Sequence, residues 1–242
     1  MNHLPSNISC FYIPNIDGNV IRLPEEESKH AIKALRLHEN DRVLISDGKG
    51  YLFTASIQEA NYKNTLLKIE ERKVIPPLPY HIHIALSPLQ HADRFEWFIE
   101  KAIEMGISQI TPLLCHRTEK KRINEERLQK IAISALKQSR SAYLPIINPL
   151  TDFNEFVKKD KNLQKAIAIC EGDRISLNQF ISESKDKTYS ILIGPEGDFS
   201  ENEAEIAIKN KYSAIDLGNS TLRSETAALY VTASMKYFFS NH

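Results

Sequence analysis

Two glycine-containing loops near the C-terminal end hold the residues best suited to chemistry. The first reads IGPEGDFSENE, residues 193–203, and the second lies within DLGNSTLRSETAALY, residues 216–230. Each follows an apolar run typical of a strand and precedes a pattern typical of a helix. Ligands of open parallel sheets bind beyond the carboxyl ends of the strands, where helix N-termini leave backbone N–H groups free. Both loops are therefore candidates for a ligand held by backbone groups.

The first loop does not match a nucleotide phosphate site. Gly194 and Gly197 allow unusual backbone conformations, and Pro195 stiffens the turn. However, neither the G-x-G-x-x-G pattern nor the Walker A pattern is present. The carboxylates of Glu196 and Asp198 would also repel a phosphate. An ordinary loop followed by a capped helix is an equally good interpretation of the spacing.

The second loop contains a single cation, Arg223. It follows Gly218 and a run of small polar residues, and it precedes Ser224, the expected N-cap of the last helix. An isolated arginine is most often a solvated charge or a salt-bridge partner. The tight loop and its apolar flanks make a ligand-binding role more plausible here.

Two basic clusters are candidates for phosphate contacts. Lys29, Lys33 and Arg36 recur at i, i+4 and i+7 on one face of a predicted helix, and basic residues outnumber acidic ones between 116 and 140. A charge run is most often a solvated helix face, but two such clusters also fit an RNA-binding surface. No aromatic residue is interleaved with either cluster, so stacking on unpaired bases gains no support.

Other site chemistries find little support. There is no G-x-S-x-G motif, and the scattered cysteines Cys10, Cys115 and Cys170 lie in apolar runs that suggest core positions. Their odd number and spacing predict reduced thiols and no structural zinc. His81 and His83 alternate along a strand, so we expect them to face one side of a sheet rather than bind a metal.

The composition is typical of a globular protein without a global attraction to nucleic acid. The 242 residues are 42% hydrophobic and 26% charged, and 31 Lys and Arg balance 31 Asp and Glu. No apolar run reaches the roughly 18 residues of a membrane span. The start MNHLPSNISCFY lacks the basic and apolar regions of a signal peptide. We therefore expect a cytoplasmic protein that does not bind a membrane.

The elements that must position the loops follow a proline-rich linker at 74–80. Before it, residues 42–58 form a predicted hairpin around Asp47-Gly48, and 25–37 a predicted helix. After it, strands are predicted at 81–89, 108–114, 165–170, 189–193 and 213–217, and helices at 91–106, 124–139, 152–159, 176–184, 200–210 and 225–239. This alternation predicts an α/β fold with a parallel sheet covered by helices on both faces.

The loop sequences resemble a known family. IGPEGDFSENE followed by LGNSTLRSETAALY is similar to the C-terminal signature of the 16S ribosomal RNA uridine-N3 methyltransferases of the SPOUT superfamily. DRFEWFIEKAIEMGISQITPLLCHRTE, KQSRSAYLPIINP and HAIKALRLHENDRVLISDGKG also match, in the same order. The last of these resembles the PUA-like β-barrel of that family. The chain departs from the pattern at Asp198, where the family often has glycine, and at His91, where it commonly has lysine.

The resemblance implies a fold and a cofactor. It implies a C-terminal trefoil knot built around the parallel sheet, with residues 1–74 as an RNA-binding PUA-like β-barrel domain and residues 80–242 as the methyltransferase domain and homodimer interface. It also implies S-adenosylmethionine in the two loops, near 192–197 and 217–223, with help from the loop after Cys170. This cofactor has no phosphate, so the acidic residues no longer conflict with binding. The implied cofactor-binding residues are Leu192, Ile193, Gly194, Pro195, Gly197, Leu217, Gly218, Asn219, Ser220 and Leu222.

The resemblance further implies roles in catalysis and RNA binding. Arg223 would stabilise negative charge on the target base, and Glu225, Glu196 or water would accept its proton. Arg94, Lys101 and Arg140 resemble family positions that face RNA, in addition to the Lys29, Lys33 and Arg36 cluster. The expected partner is 16S ribosomal RNA or the small ribosomal subunit, with no metal. The alternatives are methylation of another RNA position and a non-catalytic RNA-binding or ribosome-assembly factor.

Overall fold

A computed structural model describes residues 8–184 and 186–240. The first seven residues of the predicted PUA-like domain, and Lys185 and the last two residues of the predicted methyltransferase domain, lie outside the described part. The chain forms two compact units. The first comprises Met1–Pro77 and Ile133–Leu144, and the second comprises Leu78–Ala132 and Pro145–His242. Residues 133–144 thus belong to the first unit, although they follow the linker in sequence.

The first unit contains a five-stranded sheet. Its strands are β1 (Cys10–Tyr12), β2 (Val20–Arg22), β3 (Arg42–Ser46), β4 (Tyr51–Glu59) and β5 (Leu66–Val74). They lie in the order β1-β3-β4-β5-β2, with β1 parallel to β3 and the remaining pairs antiparallel. Alternate residues of β4, including Phe53, Ala55 and Ile57, are buried in the core. The predicted hairpin around Asp47-Gly48 is confirmed by the pairing of β3 with β4.

The predicted helix at 25–37 is interrupted. Helix α1 spans Glu25–Lys29 and continues as a π-helical turn at His30–Ala34. The chain then leaves the helix at Arg36, whose φ is 54°. The N–H of Leu37 donates to the carbonyl of Ala31, and Leu37 packs against the core that contains the fully buried Ala31. Packing of the partly buried Leu37 against this core thus accompanies the early end of the helix.

The second unit contains an eight-stranded, parallel sheet. Its strands are β6 (His81–Leu86), β7 (Gln109–Leu114), β8 (Ile146–Ile147), β9 (Thr151–Asp152), β10 (Gln164–Ala168), β11 (Ile175–Ser176), β12 (Thr188–Ile193) and β13 (Ser213–Asp216). They lie in the order β11-β13-β10-β12-β6-β7-β8, and β9 also pairs with β7. Every pairing is parallel, so the prediction of a parallel sheet is confirmed.

Helices cover both faces of this sheet. The helices that lie wholly within the second unit are α2 (Ala92–Glu104), α4 (Phe153–Lys159), α5 (Leu177–Ser182), α6 (Glu201–Lys209) and α7 (Ser224–Ser240). Helix α3 (Glu125–Ser139) is divided, and its part from Ile133 onward belongs to the first unit. Leu192 of β12 packs in a core cluster with residues of α4 and α6. Tyr189, three residues earlier in β12, contacts Phe239 of α7, with ring centroids 5.6 Å apart. Successive strand residues point to opposite faces, so residues three apart do as well, and the two helix layers lie on opposite sides.

The predicted helix starts are confirmed at two positions and shifted at a third. Asn124 Oδ1 accepts from the Arg127 N–H at 3.0 Å. At α6, Ser200 Oγ accepts from the Glu203 N–H at 3.3 Å and Glu203 Oε2 from the Ser200 N–H at 2.9 Å, which completes a capping box. Ser224 was expected to be the N-cap of α7, but it is the first helical residue.

His83, which the sequence predicts to face one side of a sheet, is buried in strand β6. Its Nε2 lies 2.7 Å from Thr111 Oγ1, and its burial lowers its pKa to about 4. Within the described residues, no group of three or more His, Cys, Asp or Glu could hold a metal ion. No helix in the described part of the chain is long and apolar enough to cross a membrane.

Candidate functional site

A cavity of about 820 Å³ lies at the carboxyl ends of three neighbouring parallel strands. Its walls are the loops that follow β10, β12 and β13, which are adjacent in the sheet. Parallel strands bring these loops, which are distant in sequence, to one edge. The predicted site residues that line it are Ile193, Gly194, Pro195, Glu196, Gly197, Leu217, Gly218, Asn219, Ser220, Leu222 and Arg223. Two other predicted residues lie elsewhere: Leu192 is in the core and Glu225 is in the first turn of α7.

The first loop, after β12, requires glycine at position 194. A Cβ atom there would lie 3.1 Å from the Phe199 ring and 3.2 Å from the Phe199 nitrogen. Gly197 is less restricted, because a Cβ atom would lie 3.5 Å from Arg117 Cδ. The two loop glycines therefore have different structural requirements.

Asp198 joins the loop after β12 to the loop after β10. Its φ of 62° is in the left-handed region, which explains why glycine suits this position in the family that the sequence resembles. One carboxylate oxygen accepts from the Cys170 N–H at 2.9 Å, and the other accepts from the Phe199 N–H at 2.7 Å. Where that family often has a flexible glycine, this chain has an aspartate whose side chain holds both loops.

Cys170 is exposed, so its predicted core position is wrong. The residue follows the last residue of β10, Ala168, and lies in the loop that lines the cavity. Although the residue as a whole is exposed, partial burial of its sulfur and the nearby Asp198 carboxylate raise the pKa of the Cys170 thiol. A thiol that stays protonated is a poor nucleophile, so the cavity has no activated cysteine.

The second loop, after β13, is shaped by Gly218. Its φ of 108° is accessible to glycine and rare for other residues. Its N–H donates to Asp216 Oδ1 at 3.0 Å, which closes a tight turn at the end of β13. Arg223 follows in the same loop with an exposed side chain, and its carbonyl accepts from the Ala227 N–H at 2.8 Å in the first turn of α7. The helix start therefore fixes the backbone of Arg223 at the cavity wall.

Arg117 and Glu203 support the first loop from outside the cavity. Arg117 Nη1 donates to the carbonyl oxygens of Gly197 at 2.6 Å and Phe199 at 3.4 Å. The buried Glu203 accepts from the His116 N–H at 2.7 Å. The sequence pattern places Arg117 in the basic segment 116–140 and does not indicate this contact. No local pattern could indicate it, because Arg117 and Gly197 are 80 residues apart.

The two predicted catalytic carboxylates have different surroundings. Glu196 lines the cavity and is exposed, and its Oε1 accepts from the Gln90 N–H at 3.1 Å. Glu225 is buried, and its Oε1 lies 4.0 Å from Nε of Arg94. The structure thus pairs a predicted catalytic residue with a predicted RNA-binding residue.

The other predicted RNA-binding residues lie in both units. In the first unit, Lys29 pairs with Glu25 at 2.6 Å, Lys33 lies over the Tyr62 ring, and Arg36 is exposed. Arg140, also in the first unit, is half-buried at the end of α3, with a φ of 53°. Lys101 lies on α2 in the second unit, where it pairs with Glu100 and Glu104.

The cavity is suited to a polar ligand without phosphate groups. Its walls contain the carboxylates of Glu196, Asp198 and Asp216, together with backbone groups of two glycine loops. A second arginine at the wall, Arg174, already donates hydrogen bonds to the carbonyl oxygens of Ile169 and Gly172. Arg223 is therefore the cation best placed to meet a ligand or substrate.

Two family descriptions match the chain. The RNA methyltransferase domain matches residues 76–236, and the RNA methyltransferase PUA domain matches residues 23–70. The first match covers most of the chain, including all three cavity loops.

Known relatives and structures resemble the chain over nearly its full length. The ribosomal RNA small subunit methyltransferase E of Rickettsia conorii is 28% identical over 91% of this chain and 91% of its own. A crystal structure from Porphyromonas gingivalis, described as a probable rRNA-methyltransferase, is 31% identical with a TM-score of 0.87, covering 97% of this chain and 99% of that one. The ribosomal RNA small subunit methyltransferase E of Neisseria gonorrhoeae, solved bound to S-adenosyl methionine, is 24% identical with a TM-score of 0.83 over 96% of this chain and 98% of that one.

Proposed function

The chain belongs to the RNA methyltransferase domain family, and on this premise we propose that it transfers a methyl group from S-adenosylmethionine to N3 of a uridine in 16S ribosomal RNA. The observation that carries the proposal is the position of Arg223. It lines the same cavity as the two glycine loops, at the carboxyl ends of β10, β12 and β13. The name of the Rickettsia conorii relative supports small-subunit ribosomal RNA as the substrate.

The cavity residues fit S-adenosylmethionine. Cavities of roughly 300–1,000 Å³ are usual for ligands of this kind, and the observed volume of about 820 Å³ lies in that range. The carboxylates of Glu196, Asp198 and Asp216 suit a cation and sugar hydroxyls, but not a phosphate. Phe199 occupies the space that a side chain at position 194 would need, and Gly218 has a positive φ, so both loops line the cavity with glycine backbone.

The chemistry requires positioning and charge stabilisation from the chain. Bound S-adenosylmethionine would supply a methyl group attached to a sulfonium sulfur. The methyl carbon would bond to uracil N3 as its bond to sulfur breaks, and the sulfur would leave as a neutral thioether. Orienting the reactants can lower the barrier by roughly 7–11 kcal/mol in favourable cases. As N3 loses its proton, negative charge spreads to the neighbouring carbonyl oxygens of the base. The Arg223 guanidinium at the cavity wall would stabilise this charge.

Glu196 is the favoured acceptor for the N3 proton. It lines the cavity, and the hydrogen bond from the Gln90 N–H holds its carboxylate in place. Glu225 is the second candidate, but its contact with Arg94 and its place in the first turn of α7 already account for a carboxylate there. Transfer of the proton to water is the third route.

We extend the proposal to the organisation of the protein. Residues 1–74 would form an RNA-binding PUA-like barrel and residues 80–242 a knotted methyltransferase domain that acts in the cytoplasm. The strand order, in which β12 and β13 flank β10, supports a knot in the chain that follows β10. A homodimer would bury the exposed aromatic residues Trp97 of α2 and Tyr230 of α7, and light scattering of the wild type and Trp97→Glu would test it.

Methyl incorporation tests the proposed activity. The purified protein is mixed with S-adenosylmethionine labelled in its methyl group and with either free 16S ribosomal RNA or isolated small subunits lacking the modification. Label in either RNA supports the proposal, and the comparison identifies the preferred substrate. Absence of label from both, with the cofactor bound, would instead support a non-catalytic RNA-binding protein.

A further inference from the structure

An exposed tyrosine in the first unit lies among the lysines of the basic helix. Tyr62 is in the turn between β4 and β5, and it is 40% exposed. The Lys33 ammonium lies 4.4 Å from the centroid of its ring, and that of Lys63 lies 5.8 Å away. The sequence predicted no aromatic residue within the basic clusters. The fold changes this conclusion, because it brings Tyr62 to Lys33 from a distant part of the chain.

The turn that carries Tyr62 is held to the helix that carries Lys33. The buried Ser28 Oγ of α1 accepts from the Thr65 N–H at 3.0 Å and donates to the Leu23 carbonyl at 3.2 Å. Within the turn, Thr65 Oγ1 donates to the Asn61 carbonyl at 2.8 Å. The backbone segments that carry the aromatic ring and Lys33 are therefore held together before any ligand binds, which lowers the entropic cost of binding.

The charges around the ring favour an anionic ligand with an aromatic part. Lys29 is paired with Glu25, whose hydrogen bond raises the pKa of the lysine. Lys33 and Lys63 instead lie over the ring, and the Lys63 contact is near the distance limit for a cation–π interaction. A flat aromatic group could therefore replace the Lys63 ammonium over the ring. The displaced ammonium would then be free to meet a phosphate.

We propose that Tyr62 stacks on one unpaired base of single-stranded RNA while Lys33 and Lys63 contact the flanking phosphates. Stacking on an aromatic side chain needs an unpaired base, and lysines beside it provide the charge that the backbone of the RNA requires. The site rests on the proposed function for its RNA ligand. It lies within the first unit and shares no residue with the cofactor cavity.

The test compares Tyr62→Ala with the conservative Tyr62→Phe. Fluorescence anisotropy measures binding of the full-length protein to a short unstructured RNA and to an RNA duplex of similar length. For Tyr62→Ala we expect binding of the single strand to weaken by roughly 5- to 100-fold, which corresponds to the loss of one stacked base. Tyr62→Phe should bind like the wild type, because it keeps the ring. Binding of the duplex should not change in either variant.

Salt dependence and cofactor binding distinguish the possible outcomes. Lys33→Ala should reduce the slope of log affinity against log salt concentration, whereas Tyr62→Ala should leave the slope unchanged. Equal binding by Tyr62→Ala and the wild type, or equal loss on single strand and duplex, would overturn the stacking site. Either result would leave the proposed function intact, provided that the wild type binds RNA and that Tyr62→Ala keeps the wild-type Kd for S-adenosylmethionine. A wild type that binds neither RNA would contradict both proposals.

Discussion

Arg117 donates through Nη1 to the carbonyl oxygen of Gly197 at 2.6 Å, and so connects the segment after β7 to the loop that forms one wall of the cavity. The same nitrogen reaches the Phe199 carbonyl at 3.4 Å. The guanidinium lies behind the loop and holds the backbone that would face the cofactor. A residue assigned by sequence to a basic surface cluster is thus a support of the candidate binding site.

Arg117→Ala should weaken binding of S-adenosylmethionine. Hydrogen bonds from a charged group are each worth about 1.5–3 kcal/mol, so we expect Kd to rise by about 10-fold or more, measured by isothermal titration calorimetry. Arg122→Ala is the matched control, because Arg122 is an exposed arginine of the same segment. An equal Kd for Arg117→Ala and the control would contradict the supporting role.

Gly194→Ala and Gly197→Ala should have different effects on cofactor binding. The added methyl group at position 194 would meet the Phe199 ring and backbone at 3.1–3.2 Å, so the loop must shift. At position 197 the nearest atom lies at 3.5 Å, an ordinary contact. We expect Kd for S-adenosylmethionine to rise by about 5-fold or more for Gly194→Ala, because overpacking costs about 1–3 kcal/mol, and to stay near the wild-type value for Gly197→Ala. Equal affinities would mean that the loop adapts freely.

Glu196→Gln and Glu225→Gln separate the two candidate bases. If Glu196 accepts the N3 proton, its amide variant should lower single-turnover methyl transfer by about 100-fold or more, within the usual range for general-base catalysis. Glu225→Gln should act mainly on stability, because it removes the carboxylate that faces Arg94 at 4.0 Å. We expect its free energy of unfolding in urea to fall by about 1 kcal/mol. The reverse pattern would assign the base to Glu225.

His83 should make the protein less stable at acidic pH. Its pKa is about 4 in the folded protein against 6.5 in the unfolded chain, because burial beside Thr111 disfavours the charged ring. Between these values the unfolded state binds more protons, so stability is full above pH 6.5 and falls as the pH drops toward 4. This difference in pKa corresponds to a loss of about 3 kcal/mol in the free energy of unfolding below pH 4. The difference in free energy of unfolding between the wild type and His83→Gln, measured across this range, isolates the effect. A constant difference would contradict it.

Local sequence patterns predicted most of the elements correctly. The capping box of Ser200 and Glu203 requires residues three positions apart, and the hairpin around Asp47-Gly48 needs only its turn residues. The pattern does not predict the end of the helix at Arg36, because packing of the partly buried Leu37 depends on the core of the first unit rather than on helix propensity.

Contacts between distant segments were not visible in the sequence. The sheet places the loops after β10, β12 and β13 together. The apolar runs of the sequence indicate the loops after β12 and β13, and the loop after Cys170 is expected there only from the family resemblance. The supports supplied by Arg117 and Asp198, and the contact of Lys33 with Tyr62, join residues far apart in the chain. Such contacts depend on how strands are ordered and turns are folded, so no spacing of residues predicts them.

The most direct test of the account is identification of the methylated nucleoside by mass spectrometry. Small-subunit RNA is treated with S-adenosylmethionine and either the wild type or Arg223→Ala, then digested to nucleosides. We expect N3-methyluridine with the wild type and at least about 100-fold slower formation with Arg223→Ala, whose cofactor affinity and fold should be retained. Methylation at a ribose hydroxyl or another base position, or undiminished turnover by Arg223→Ala, would contradict it.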